Sequence, residues 1–334
     1  MADNNKYIVS AAPHLHKKDD SVSRIMWTVN AVLAPVALMA VFVFDWVALG
    51  VMLVSVLSAL LTEAVIQRSR GQRVTISDGS AFMTGLLLAF NMPAHVPLWL
   101  PAVGSFFAIA IAKQVFGGLG HNIFNPALAG RAFLMAAWPQ RMTTFTKPFA
   151  VDAVTQATPL MLLKDGKAAG LADMGLGYMD LLIGFRGGAL GEVCALALVL
   201  GGAYLLARRI ISWQTPVSFI VTAGAFGWAF GSPKGFFQGD FLFQVLSGGL
   251  LLGAIYMATD YVTSPITKRG QLVFGVGCGL LTGVIRRWGG YPEGVCYAIL
   301  IMNTAVPLID RFSQPRRYGV TRREKDSGSA RRAS

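Results

Sequence analysis

Charge is scarce in this sequence, and acidic charge most of all: 17 Asp and Glu stand against 29 Lys and Arg in 334 residues. Charged residues make up 14% of the chain, too few to coat a soluble globule of this length, while 54% are hydrophobic and mean hydropathy is +0.54. That balance excludes an ordinary water-soluble enzyme and describes an integral membrane protein. Cysteine is nearly missing too. Cys194, Cys278 and Cys296 lie singly in apolar runs, without the spacing that holds an iron–sulfur cluster or zinc, and read as small buried side chains. No Gly-x-Gly-x-x-Gly fingerprint follows an expected strand, which argues against a dinucleotide fold. The first 23 residues, with His14, His16, Lys17, Lys18, Asp19 and Asp20, are too polar for a signal peptide.

Long hydrophobic runs are what the chain has in abundance. Measured against the length that crosses a bilayer, they give an all-helical polytopic fold of about ten segments. These fall at 25–44, 46–66, 79–91, 97–116, 122–138, 187–207, 213–231, 241–259, 271–286 and 293–310. Segments 79–91 and 122–138 are short or polar, as expected of broken helices around a cavity. The domain reading follows: a cytoplasmic N-terminal segment 1–24, a first membrane half 25–138, a loop 139–186, a second membrane half 187–310 and a basic tail 311–334. An offset of 172 residues superposes Pro93 and Phe116-Gly117-Gly118 on Pro265 and Trp288-Gly289-Gly290, which predicts two inverted five-segment repeats.

The net charge of +12 sits in short clusters between apolar runs, where topology and anionic lipid account for it without nucleic acid. The basic residues favour cytoplasmic N- and C-termini and an extracytoplasmic loop 139–186. Arg286 and Arg287 fall on the wrong side of that count. Tryptophans 27, 46, 99, 138, 213 and 288 read as interfacial anchors. Asp78, Asn91, Asn122, Asn125, Arg131, Asp260 and Asn303 lie at membrane depth or its edge, where polarity marks a cavity or internal hydrogen bonding. Arg131 is the most expensive of these, and would pair with a phosphate near the long loop or with a neighbouring carbonyl or acid. Asp78 and Asp260 also suit helix caps. Glu63 and Glu192 fit helix-end salt links as readily as ion binding.

The long loop carries Asp152-Ala153-Val154-Thr155-Gln156-Ala157-Thr158-Pro159-Leu160. By itself this is a turn, with Asp152 capping it and Pro159 restraining the backbone. It also resembles the Asp-x-x-Ser/Thr-x-Ala-Thr flavinylation motif, with Gln156 where related sites often have Gly or Ser. Further marks are Ser77-Asp78-Gly79-Ser80, the junction Phe116-Gly117-Gly118-Leu119-Gly120-His121-Asn122-Ile123-Phe124-Asn125-Pro126-Ala127, and Ala258-Thr259-Asp260 with Thr263-Ser264-Pro265. Together they cover nearly the whole chain and resemble the D subunits of Rnf electron-transport complexes, which are similar to the B subunit of the sodium-pumping NADH:quinone oxidoreductase.

The resemblance implies FMN held by a phosphoester on Thr158, with Thr155 as the second candidate acceptor and Asp152 and Ala157 completing the motif. Arg131, Asn125, Asp78 and Asp260, polar at membrane depth, are candidates for bordering a flavin or ion path, and the resemblance leaves room for a noncovalent riboflavin. It further implies a bacterial inner-membrane subunit relaying electrons between NADH and ferredoxin, coupled to sodium or proton movement and inactive alone. The expected partners are the covalent-FMN G subunit, the A and E membrane subunits, the subunits that meet NADH and ferredoxin, and lipid. Two other readings remain: a scaffold subunit without its own redox centre, and a transporter like the urea and ammonium channels.

Overall fold

The computed structural model describes residues 21–149, 157–166, 171–184, 186–232, 235–291 and 293–314. Helix α1 runs over Val22–Ser69, started by Ser21, whose hydroxyl accepts from the Arg24 amide at 3.3 Å and satisfies one open donor of the first turn. Its many Ala, Leu and Met residues favour helix. At Asp45, with φ 61° and ψ −164°, the backbone leaves helical geometry, so α1 is two helices joined at a kink. Helices α2 (Ser80–Phe90) and α3 (Trp99–Ile109) pack on α1, and α4 (Pro126–Ala137) packs on α3. A wide π turn at Ala110–Gln114 extends α3.

The interval 139–186 holds α5 (Pro139–Thr143), α6 (Pro159–Lys164), a 3₁₀ turn at Ala172–Met174 and α7 (Tyr178–Ile183). Then come a 3₁₀ turn at Leu190–Glu192, α8 (Ala195–Ala207), α9 (Gln214–Phe230), α10 (Phe241–Leu246) and α11 (Leu250–Leu252). A second π turn, Gly253–Met257, continues α11 before α12 (Lys268–Trp288) and α13 (Val295–Ser313). Helices α9 and α12 make the broadest contact of the second half. A Cβ at Gly275 would stand 2.7 Å from the Thr215 carbonyl oxygen, and one at Gly279 2.9 Å from that of Phe219, so the two backbones meet only because glycine lines the seam.

The expectation of about ten spans in two inverted repeats is corrected by this architecture. Among the described residues only α1 and α13 are long and apolar enough to cross a membrane, by length and composition. Segments 25–44 and 46–66 correspond to the two helices that meet at Asp45 within α1. Segments 79–91, 122–138 and 187–207 yield helices of 11, 12 and 13 residues, about 17–20 Å long against a hydrocarbon core of about 30 Å. Segment 241–259 divides into α10, α11 and the π turn. Helix α12 has the length, with 21 residues, but carries Lys268, Arg269, Gln271, Arg286 and Arg287.

The repeat offset pairs unlike structures. Gly117 and Gly118 take φ 118° and 94° after a π turn, whereas Gly289 ends a regular helix in extended backbone at φ −72°. Apolar runs of this chain are divided between a packed interior and exposed faces, and hydropathy alone does not separate that burial from lipid contact.

Candidate functional site

Two buried polar centres lie inside the bundle. The first forms where the π turn after α3 meets α1. The turn presents two consecutive side chains to one carboxylate: Lys113 Nζ donates to Glu63 Oε2 at 2.9 Å and Gln114 Nε2 to Glu63 Oε1 at 3.0 Å. Gln67, one turn along α1, donates to Glu63 Oε1 at 3.2 Å. Lys113 also donates to the Ser80 hydroxyl at 2.7 Å. Both members of the ion pair are almost wholly buried, at 2% and 1% side-chain exposure, so the surrounding amide and hydroxyl groups supply the hydrogen bonding that water would otherwise give.

Asp78 stands at the edge of this centre and holds the start of α2, its Oδ1 accepting from the Ser80 amide and hydroxyl, both at 2.8 Å. Asp260 Oδ2 accepts from Thr263 Oγ1 at 3.1 Å. Lys113, Ser80, Asn122, Asn125 and Asp260 line one small cavity. Asn125 is the N-cap of α4, its Oδ1 accepting from the amides of Ala127 (3.1 Å) and Leu128 (3.3 Å), while its Nδ2 donates to the Met257 carbonyl at 3.2 Å. The cap thus ties the first half of the chain to the second π turn.

The second centre gathers around Arg131, on α4. Its Nη1 donates to Asn91 Oδ1 at 2.5 Å, and its Nη2 is bonded to Glu293 Oε2. Arg286, in the last turn of α12, donates from Nη1 to the Gln244 carbonyl (2.6 Å), from Nη2 to that of Ser247 (3.0 Å) and from Nε to that of Glu293 (3.2 Å). Arg186 Nη2 donates to the Leu246 carbonyl at 2.6 Å. Glu192, on its 3₁₀ turn, and the Arg131 guanidinium both border Gly249, at 3.8 and 4.0 Å from the position its Cβ would take. Three guanidinium groups and two carboxyl groups are therefore packed together, each side chain buried.

Thr158 approaches this second centre. It is the N-cap of α6, its Oγ1 accepting from the Met161 amide at 3.3 Å, and it is 4% exposed. Two residues on, Leu160 packs against Gly248, beside Arg286 and Glu293. Leu160, Leu163 and Lys164 form one wall of a small cleft of about 50 Å³ whose other walls include Phe226, Gln244, Arg286 and Arg287. Lys164 Nζ donates to the Tyr291 carbonyl at 3.0 Å and also to that of Gly289. Its partial burial lowers the ammonium pKa from the ordinary lysine value, with Asp165 opposing. Asp152 and Thr155 lie outside the described residues, and Ala157 is exposed beside Thr158.

The residue pattern of the whole chain decides its kinship. The NQR2, RnfD, RnfE family pattern matches residues 8–319. The chain belongs to that family. It is 49% identical over 324 residues to the D subunit of the proton-translocating ferredoxin:NAD(+) oxidoreductase complex of Clostridium ljungdahlii, covering 95% of this chain and 98% of that protein. The D subunit of the Na(+)-translocating ferredoxin:NAD(+) oxidoreductase complex of Acetobacterium woodii is 46% identical over 321 residues, covering 96% and 97%. The D subunit of an ion-translocating oxidoreductase complex of Stutzerimonas stutzeri is 39% identical over 333 residues, covering 91% and 94%.

Of the polar positions expected at membrane depth, the structure brings Asn125 and Asp260 to one cavity with Asp78 at its margin, and puts Arg131 in the other centre. Sequence reasoning counted Lys113 and Arg186 only toward topology, passed over Glu293, and left Glu63 and Glu192 open between helix-end salt links and ion binding. The available signal was the presence of isolated acids and bases inside otherwise apolar stretches. Their pairing is not readable from spacing, because Lys113 lies 50 positions from Glu63 and Glu293 lies 162 from Arg131.

Proposed function

We propose that this chain is a bacterial inner-membrane subunit of an ion-translocating oxidoreductase complex, acting in its electron transfer chiefly by holding partner subunits in place and having no catalytic centre of its own. The observation that carries this reading is the near full-length likeness to D subunits of such complexes. Two relatives of similar identity have names specifying different ions, so the likeness carries no choice of coupling ion. The apolar helices α1 and α13 support the membrane setting, and the basic residues near both ends favour cytoplasmic termini. Deleting the chain is expected to prevent assembly of the remaining membrane subunits, read as loss of the full-size complex on a native gel. A complex of otherwise complete composition and unchanged electron transfer would overturn the scaffold role.

A second reading gives the chain its own flavin, and one observation favours it: Thr158 begins the helix whose Leu160, Leu163 and Lys164 wall the cleft containing Arg286 and Arg287. The fit is chemical. A hydroxyl at Thr158 can form the phosphoester, basic groups in the adjoining cleft suit a phosphate, and Phe226 offers an aromatic wall. FMN bound there would supply one- and two-electron redox chemistry, and the chain's residues would anchor, orient and shield it. Because Thr158 is buried and its oxygen caps α6, attachment requires this turn to open.

Flavin fluorescence of the denatured band separates the two readings. In the assembled complex, a wild-type band that fluoresces and goes dark in Thr158→Val but not Thr155→Val establishes the anchor. A dark wild-type band from a complete complex leaves the scaffold reading.

A further inference from the structure

Helices α1 and α8 touch at one point and then part. A Cβ at Gly201 would stand 2.5 Å from Val32 Cγ1 and closer still to the Tyr256 hydroxyl, so glycine permits the contact. Further along α8, Tyr204 shares a groove of about 500 Å³ with Arg24, Trp27, Thr28, Ala31 and Val32 of α1. Because Gly201 lies at Val32 while Tyr204 lies with residues nearer the start of α1, the two helices run in opposite directions. The end of α8 therefore comes to the start of α1, and Arg208 and Arg209 join Arg24 on one side of the molecule.

The walls and the rim of this groove differ in chemistry. In the walls the polar atoms are already taken: Trp27 Nε1 donates to the Ser77 carbonyl at 3.1 Å and Thr28 Oγ1 to the Arg24 carbonyl at 2.7 Å. The Phe82 ring, its centroid 5.4 Å from that of Trp27, holds the indole further in place as a fixed apolar surface. At the rim the Arg208 guanidinium lies 6.0 Å from the centroid of the Tyr204 ring. Arg208 and Arg209 are exposed, and among the described residues no Asp or Glu lines the groove. Away from the rim the exposed side of α8 continues as Leu200 and Leu196, each one turn from the last. From Tyr204 to Leu196 is about 12 Å of helix, against about 15 Å for the hydrocarbon of one leaflet.

We infer that this groove holds an anionic phospholipid, with its phosphate at the arginine rim and an acyl chain along Trp27, Ala31, Tyr204 and Leu200. Charge complementarity chooses the occupant. Cations confined to one end of an apolar groove match a molecule with one anionic end and a hydrocarbon body, and basic pockets between membrane helices take such headgroups. A zwitterionic lipid has the same body but brings no net charge to the arginines. The inference rests on the membrane setting of the chain, and stands whether the chain is a scaffold or carries a flavin.

The test is photolabelling of the assembled complex in phosphatidylcholine nanodiscs, with a trace of either phosphatidylglycerol or phosphatidylcholine carrying a diazirine on its acyl chain, followed by peptide mapping. The expected result is label at 27–32 and 200–204 from the phosphatidylglycerol probe, at least about fivefold above the phosphatidylcholine probe and about fivefold weaker in Arg208→Gln, the share of one arginine near a charged headgroup. Equal label from both probes, loss of label to added inorganic phosphate alone, or unchanged label in Arg208→Gln would overturn the proposal. A groove that carries no lipid label because a partner subunit covers it overturns the proposal too. Where Arg208→Gln does not assemble, Ala31→Trp decides by filling the groove: lost label supports the site, and retained label overturns it. Label from either probe along 53–65 reports membrane contact itself, so an unlabelled groove beside a labelled 53–65 counts against this site and leaves the membrane setting intact.

Discussion

Glu63 and Lys113 show at the scale of single residues what a membrane-type interior demands. Each is buried, so truncating one leaves the other charge without its partner, a loss of about 3–5 kcal/mol. Lys113→Met is expected to lower the thermal unfolding midpoint of the solubilised complex sharply, and Glu63→Gln combined with Lys113→Met to recover much of it. Equal midpoints for the single variant and wild type would show that the pair carries no stability. Asn125→Ala removes both the cap of α4 and the bond to the Met257 carbonyl. Its cap contribution is about 1 kcal/mol, measurable in the same melt. Arg131 was legible in sequence because a guanidinium among Pro126–Ala137 must find a partner. That Glu293 and Asn91 provide it was not, since neither is near Arg131 along the chain.

At the scale of elements, glycine placement controls how closely helices approach. The α9–α12 seam has backbone or short side-chain atoms within 3 Å of a Cβ added at Gly275 or Gly279. Gly279→Ala is expected to destabilise by about 1–3 kcal/mol through overpacking. Gly290→Ala, with nothing within 4 Å of the new Cβ, should stay within about 0.5 kcal/mol of wild type. Comparable losses for both would mean that the seam is looser than its backbone distances require. The apolar runs foretold most helices. They did not foretell the π turns at Ala110–Gln114 and Gly253–Met257, because a π turn follows from how a side chain such as Lys113 must reach its partner, a tertiary requirement.

The whole molecule presents an apolar stripe along α1. Leu53, Leu57, Leu61 and Val65 recur every fourth residue and are 51–65% exposed, while Val51, Ser55, Ala59 and Thr62 face the interior. This is the pattern of a helix with one side packed and the other against lipid or a partner subunit. Leu57→Arg is expected to cost about 2.5–3.5 kcal/mol if that side lies at membrane depth. It should reduce the membrane-integrated fraction in carbonate extraction, and an unchanged fraction would place the stripe away from lipid.

Composition by itself determined the helical, apolar character of this chain, because 54% hydrophobic residues with 14% charge admit few other solutions. The residues from Ser77 to Thr263 carried enough local pattern to indicate its family. Only the tertiary structure decided how the apolar surface is divided between a packed interior and exposed faces, and among the described residues it replaced ten expected spans with two helices long and apolar enough to cross. Hydropathy is a property of one residue at a time, whereas burial depends on which helices meet. The same reason hid the charged centres: Glu63 meets Lys113, and Arg131 meets Glu293, only once separate stretches of the chain are packed together.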